Sequence, residues 1–437
     1  MEETLVKKSD LLKMKYKFFL NRLLIYFSFL CIPLMIQSTT RMNLLIQSLI
    51  LVVYMIFMGG QWYLLGKEID HRLKIYYKAN STIERVVYRL IMGSVAMLLL
   101  FNVFYLLPEK THEVLFWGFF GALGIFYSWP TRGKIIEETM MGQFSEFRYL
   151  DSFEKTVYVL STITFIISLP ELPLFQNIEA LQLYFDPAQQ VNSMFWNFLS
   201  ILYLPFSSYS MLYNLIWSFH FYFIGLGIFL LTFYSLLRYY FSRRLAMLGV
   251  FSVISTWSLS RILAVDYFAC VSTTVPLIWV WSLVWSSRSG TYRSGLFTGL
   301  VCAYLTIINP LNFIMLPLGI FVSYFFFLNE RTTWYKKQWL KYNIMGGMLA
   351  IGVFAAGAPH QEFHFFNWAL AWVNVSDYIY RKAFFIIAPI GFLLTALFLT
   401  DSSKFFLSYV SFDKTKMKEI VVGVVLTIFI GITLNPE

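Results

Sequence analysis

Apolar runs recur along the whole chain and are separated by short polar connections. Runs long enough to cross, or nearly cross, a bilayer fall at about 18–36, 43–65, 90–107, 114–129, 157–175, 217–237, 245–260, 268–286, 295–309, 311–328, 344–357, 384–400 and 419–434. This pattern predicts an all-α polytopic membrane protein with about 13 transmembrane helices.

The composition supports this interpretation. Hydrophobic residues make up 58% of the chain and charged residues 13%, against about 25% charged in a soluble protein. A single water-facing globule cannot bury so many apolar side chains, so the bilayer must be the solvent for most of them. The net charge of +10 comes from basic residues in short connections, which indicates membrane orientation and no nucleic-acid partner.

The basic residues are distributed unequally between the two sides. With the N-terminus in the cytoplasm, 29 of the 34 Lys and Arg residues fall on the cytoplasmic side. The opposite side holds only Arg41, Lys110, Arg261, Arg381 and Lys382. The positive-inside rule therefore predicts a cytoplasmic N-terminus, and, if the chain is bacterial, residence in the cytoplasmic (inner) membrane.

The segment 176–216 is predicted to be a long outer loop that contains no Lys or Arg. Its apolar part, 193–217, is broken by Pro205 and a Ser-Ser-Tyr-Ser cluster, and as a single crossing it would invert every later connection. We therefore predict two short interfacial helices there, whose aromatic side chains lie at headgroup depth. The residues concerned are Trp196, Tyr203 and Tyr209.

The chain is predicted to have two parts. Residues 1–156 form an N-terminal four-helix membrane region of unknown role, and residues 157–437 form a second module. The boundary lies in the basic connection 130–156.

Two acidic residues stand in the outer loop. Asp186 precedes Pro187, which favours an extended or turn conformation for the Asp. A carboxylate at this surface can act as a general base on an incoming hydroxyl or bind a divalent cation. A solvated loop acid or a helix N-cap is the alternative, and Glu179 is a secondary candidate.

Arg261 and Asp266 interrupt apolar sequence at the predicted outer face. Ionisable residues at membrane depth are costly and usually face a cavity or each other. One interpretation is a short hairpin with solvated charges. The other is a site in which the arginine holds a phosphate through bidentate hydrogen bonds.

A third candidate lies in the outer connection that follows span 344–357. His360 and His364 share a helix face, and Glu362 joins them if the segment is extended. A divalent metal site is one alternative and an interfacial His pair is another. Arg381 and Lys382, in the same connection, are candidates for an anionic headgroup.

With these residues identified, the region 157–437 resembles the C-type integral-membrane glycosyltransferases (GT-C), in the protein-mannosyltransferase-like and aminoarabinose-transferase-like branch. Such enzymes begin with a membrane helix, continue with a long outer loop that carries an acid and two interfacial helices, and end in a compact run of helices. Span 157–175, Asp186 and segment 193–217 match this order, and Arg261 with Asp266 matches the family's Arg-plus-Asp hairpin. Loops of that family often carry an adjacent Asp-Glu pair, whereas Asp186 is followed by Pro187. The soluble C-terminal domain of some relatives does not follow Glu437, so either this branch lacks that domain or the sequence is a fragment.

The resemblance implies transfer of a sugar from a polyprenyl-phosphate-linked donor to a glycan, lipid or protein acceptor at the extracytoplasmic face. Asp186 would be the catalytic base, and Arg261, Asp266, Arg381 and Lys382 would bind the substrate or the donor phosphate. Two other classes stay open: a transporter or flippase for a lipid-linked or small solute, and a non-catalytic membrane protein of envelope assembly.

Overall fold

The computed structural model describes residues 2–34, 44–74, 82–129, 155–157, 159–160, 163, 198, 200–206, 225–255, 267–288, 292–308 and 336–357. These residues form helices and turns, with no strand among them. The helices are α1 (Glu2–Leu30), α2 (Leu44–Leu73), α3 (Thr82–Tyr105), α4 (Glu109–Ser128), α5 (Leu226–Tyr240), α6 (Arg243–Ser255), α7 (Tyr267–Arg288), α8 (Ser294–Ile308) and α9 (Lys336–Gly357).

The prediction of helical structure is confirmed for this part of the chain. Two helical segments are long and apolar enough to cross a membrane, Leu49–Leu73 in α2 and Ile83–Tyr105 in α3. A side chain such as Ile56 of α2 is 70% exposed, as expected for a surface that faces hydrocarbon. The total of 13 spans stays a prediction, because runs 311–328, 384–400 and 419–434 lie outside the described residues.

Helices α2 and α3 pack as an antiparallel pair through two glycines. A Cβ at Gly66 of α2 would overlap the backbone of Arg89 in α3, and a Cβ at Gly93 of α3 would overlap the backbone of Trp62 in α2. In hydrocarbon, close packing and interhelical hydrogen bonds must hold helices together, because lipid tails are as apolar as the side chains. Glycine allows the two backbones to approach this closely.

Helices α8 and α9 also pack closely through glycines, but they run parallel. Gly295 faces the backbone of Trp339, and Gly299, one turn further on, faces the backbone of Asn343, one turn further on in α9. Gly346 of α9 completes the contact against Leu296. The parallel direction agrees with the predicted topology, in which spans 295–309 and 344–357 leave the cytoplasm in the same direction.

Helix α1 packs on α2 and α4 through a ring and a glycine. The Tyr26 hydroxyl donates to Gln61 Oε1 of α2 at 3.1 Å. The Tyr26 ring also fills the space that a Cβ at Gly124 of α4 would occupy. At the other end of the α1–α4 contact, Phe19 meets Trp129 edge-on, with ring centroids 5.8 Å apart.

Aromatic rings join α3 to α7 and α8. Tyr88 of α3 is fully buried; its ring stacks on Trp285 of α7 at 5.1 Å and meets Phe297 of α8 edge-on at 4.9 Å. Aromatic pairs of this kind each add about 0.5–1.5 kcal/mol beyond the area they bury. One buried cluster therefore extends across the predicted boundary at 156, from Tyr26 to Val301.

The position of Tyr203 differs from the sequence-based expectation. Tyr203, predicted to lie in an interfacial belt, is fully buried by protein, as are its neighbours Ile201 and Leu202. Nearby, Phe198 packs against Trp62 and Phe101, with ring centroids 6.2 and 5.8 Å apart. Trp196 and Tyr209 lie outside the described residues.

A compact local turn connects α3 to α4. Pro108 precedes α4 and its carbonyl accepts hydrogen bonds from the backbone and side chain of Thr111, at 2.8 and 2.6 Å. His112 Nε2 lies 2.9 Å from the Leu107 carbonyl, and the imidazole stacks on Tyr105. Each of these contacts joins residues that are close in sequence.

Candidate functional site

The residues predicted to form an outer-face site all lie outside the described part of the chain. They are Glu179, Asp186, Arg261, Asp266, His360, Glu362, His364, Arg381 and Lys382. Their roles therefore stay predictions. The described helices meet the two segments that carry the central candidates: α5 follows 176–216, and α6 and α7 flank 256–266.

The structure does bring together polar groups at the opposite, predicted cytoplasmic, end of the bundle. We call this the polar end: there α2, α5 and α7 end, and α3, α8 and α9 begin. Its buried side chains include Asp70, Glu84, Ser286 and Ser294. Burying a polar or charged group is unfavourable unless it is hydrogen-bonded or paired, so the partners of these groups define what the cluster does.

Arg89 of α3 connects to two side chains of α2. Its Nη1 donates to the Tyr63 hydroxyl at 2.9 Å, and its Nη2 lies 3.5 Å from Asp70 Oδ2. The guanidinium also lies 5.7 Å from the centroid of the Tyr63 ring. Both charged partners are largely buried, so this ion pair fixes the α2–α3 register at the depth where Gly66 lets the backbones meet.

Glu84, in the first turn of α3, is only 1% exposed. Its Oε1 accepts a hydrogen bond from the Tyr239 hydroxyl of α5. The two residues are 155 positions apart in sequence. A carboxyl group so thoroughly removed from water requires a donor, and α5 supplies one.

Hydroxyl groups join α7, α8 and α9. The Trp339 indole N–H of α9 donates to Ser286 Oγ of α7 at 2.5 Å, and Ser286 Oγ shares a hydrogen bond with Ser294 Oγ of α8 at 2.8 Å. One turn deeper, Thr298 Oγ of α8 lies 3.4 Å from the Ser282 carbonyl of α7. Serine and threonine commonly supply such interhelical bonds in membranes.

A further link reaches the end of α2. Arg293, which precedes α8, donates from Nη1 to the Leu73 carbonyl at 2.9 Å. That carbonyl belongs to the last turn of α2, where helical carbonyls lack intrahelical partners. Lys74, which follows Leu73, adopts φ 50 and donates its N–H to the Asp70 carbonyl, so the end of α2 is closed by a left-handed residue.

Apart from Arg89, which is paired with Asp70, several cations at the polar end are more exposed than its two buried carboxylates. Arg85, Arg243, Arg244, Lys337 and Lys341 are exposed, whereas the carboxylates of Asp70 and Glu84 are turned into the protein. A cationic rim on this end is what the positive-inside rule predicts for the cytoplasmic side. Which side of the membrane this end faces stays a prediction.

The polar groups at this end can position the helices relative to one another. Its two buried carboxylates are engaged by Arg89 and Tyr239, and no three His, Cys, Asp or Glu residues within the described ranges are grouped as a metal site. Sequence reasoning did not single out Asp70, Glu84 or Arg89 as candidate residues. The available signal was their position, within a turn or two of the ends of apolar helices, where an ionisable side chain needs a partner.

Comparison with protein-family models, with curated proteins and with solved structures finds no match to this chain. The functional argument therefore depends on the residues themselves.

Proposed function

We propose that this chain is an integral-membrane glycosyltransferase that moves a sugar from a polyprenyl-phosphate donor to an acceptor at the extracytoplasmic face. The observation that carries the proposal is the placement of Asp186, Arg261 and Asp266 in sequence. The charge asymmetry assigns all three to the side opposite the basic connections. They follow one another in the order that the resemblance to the GT-C enzymes implies.

The described helices support the topology on which this placement depends. The α2–α3 pair is antiparallel and the α8–α9 pair is parallel, as alternate crossings require. The exposed cations Arg85, Arg243, Arg244, Lys337 and Lys341 lie at the polar end, and Lys110 is exposed at the other end, in the first turn of α4. If that end is cytoplasmic, α5 and α7 both begin on the outer side, next to the segments that carry Asp186 and Arg261.

In the proposed reaction, an acceptor hydroxyl attacks the anomeric carbon of the donor. Asp186 takes the hydroxyl proton as the new C–O bond forms. The bond from the anomeric carbon to the phosphate oxygen breaks, and polyprenyl phosphate leaves with the bonding electrons. Arg261, with Arg381 or Lys382, stabilises the negative charge that develops on this leaving group. A single displacement inverts the anomeric configuration.

Asp186→Asn tests the proposal without knowledge of the sugar. The lipid-linked sugars of a deletion strain are profiled by mass spectrometry after complementation with each variant. We expect the donor to accumulate in the deletion strain, the native chain to clear it, and Asp186→Asn to leave it accumulated, since an amide cannot accept the proton.

The matched control is Glu109→Gln, an exposed acid at the start of α4, which should clear the donor as the native chain does. Clearance by Asp186→Asn at the native rate would remove Asp186 from the mechanism. If the deletion strain accumulates no lipid-linked sugar, the transferase proposal is wrong.

A further inference from the structure

The N-terminal four helices are assigned no step in the proposed reaction, yet their α3 contacts three helices of the second module. Glu84 bonds to Tyr239 of α5, Tyr88 packs on Trp285 of α7, and both contacts lie within the first two turns of α3. Phe297 of α8 meets the same Tyr88 ring edge-on. We infer that α3 is an intramolecular brace that holds the polar ends of α5, α7 and α8 together.

The brace is incomplete without the second module. Glu84 and Tyr88 are almost wholly buried, and the groups that cover them come from residues 239, 285 and 297. A carboxyl and a phenol ring cannot be left against lipid or an empty space without cost. The N-terminal region therefore takes the second module as its binding partner, and the surface that it uses includes the first two turns of α3.

A second long-range contact also joins the N-terminal region to the second module. The Arg293 guanidinium, at the start of α8, bonds to the Leu73 carbonyl at the end of α2, across 220 residues. Helix α9 joins the same assembly through the Trp339–Ser286 hydrogen bond. The polar end thus ties α2 and α3 to α5, α7, α8 and α9.

The brace has a consequence for the outer face, and this link alone depends on the proposed function. Helix α5 follows the segment with Asp186, and α7 follows the segment with Arg261 and Asp266. Helices transmit a displacement along their length as rigid rods, so fixing their polar ends also fixes where their outer ends begin. Glu84 and Tyr88 would then be positioning residues for the outer-face site.

The association of the two parts is tested directly on the full chain. A protease site is inserted within 130–156, the protein is purified intact in detergent, and the chain is then cut. A tag on residues 1–129 captures the first fragment, and release of the second is followed over time. We expect the fragments to remain together, and their separation after cutting would overturn the inference.

Tyr239→Phe tests the specific contact, since it removes only the hydroxyl that Glu84 accepts. We expect the second fragment to dissociate roughly fivefold faster, the loss of about one interhelical hydrogen bond. In a Glu84→Met background the same substitution should have little further effect, because the acceptor is already absent. Equal effects in both backgrounds would show that the two side chains are not coupled, and the brace would be rejected.

Tyr105→Phe, at the far end of α3, is the control and should not change the rate. Because release of a fragment is measured and not sugar transfer, a failed brace and a failed transferase proposal give separate results.

Discussion

The first turns of α3 and its last turn differ in how far along the sequence their contacts reach. At the polar end, Glu84 and Tyr88 contact residues that follow them by about 150 to 210 positions. At the other end, Tyr105 and the α3–α4 turn contact residues within the same short stretch. The first set of contacts decides tertiary structure, and the second closes a connection between neighbouring helices.

This difference shows where the described bundle is held together. A local turn can form as soon as its own residues are present, but it constrains only two helices. A buried long-range contact constrains helices that the chain does not connect directly, so each loss at the polar end should affect the whole bundle. Substitutions matched between the two ends can test this contrast.

The largest effect is expected from truncating the buried ring. Tyr88→Ala removes the contacts to Trp285 and Phe297 and leaves a cavity, which should lower the free energy of unfolding by about 3–5 kcal/mol. Tyr105→Ala removes a ring that is 41% exposed and should lower it by about 1 kcal/mol or less. Denaturant titration in detergent micelles measures both, and equal losses would contradict the contrast.

A glycine pair gives effects of opposite sign. Gly299→Ala places a methyl group against the backbone of Asn343, so α8 and α9 must separate and the free energy of unfolding should fall by about 1–3 kcal/mol. Gly118→Ala in α4 has nothing within 4 Å and should raise it by up to about 1 kcal/mol, because alanine is the better helix former. Stabilisation by both substitutions would show that the α8–α9 contact is not close.

The smallest effect is expected from a single hydroxyl. Ser286→Ala removes the acceptor of the Trp339 indole and the partner of Ser294, and should lower the free energy of unfolding by about 1 kcal/mol. The matched change in the α3–α4 turn is Thr111→Val. The hydrogen bond from the Thr111 hydroxyl to the Pro108 carbonyl is exposed, so water competes for both groups and its loss should cost less. A loss at Thr111 as large as at Ser286 would show that burial does not determine the difference.

The sequence predicted the helical class because hydropathy reports directly which segments avoid water. It predicted helix ends less well. Helix α9 begins at Lys336, eight residues before the predicted span, and α1 extends back to Glu2. Both extensions are polar, so a window that detects lipid-facing sequence cannot see them, although the backbone continues its hydrogen bonding.

The tertiary contacts could not be predicted from the sequence for a different reason. Apolar sequence around Tyr203 indicates that the segment avoids water, but it does not distinguish burial in protein from burial in an interface. No sequence feature near Glu84 identifies Tyr239 as its partner. Side-chain pairing across 155 residues depends on which helices become neighbours. The outer-face residues, Asp186 and Arg261 among them, stay predictions from charge and order.

The separation of Glu84 and Tyr239 in sequence also determines how long α3 exists during synthesis before α5 has been made. Chains emerge from the ribosome at about 5–20 residues per second, so α3 waits roughly 8–30 seconds before α5 has been synthesised. During that interval a carboxyl and the Tyr88 ring lack the groups that later cover them. During synthesis, α3 therefore passes through a stage in which Glu84 lacks its hydrogen-bond donor and Tyr88 lacks its packing partners. Insertion factors or quality-control proteases would recognise the nascent chain at this stage.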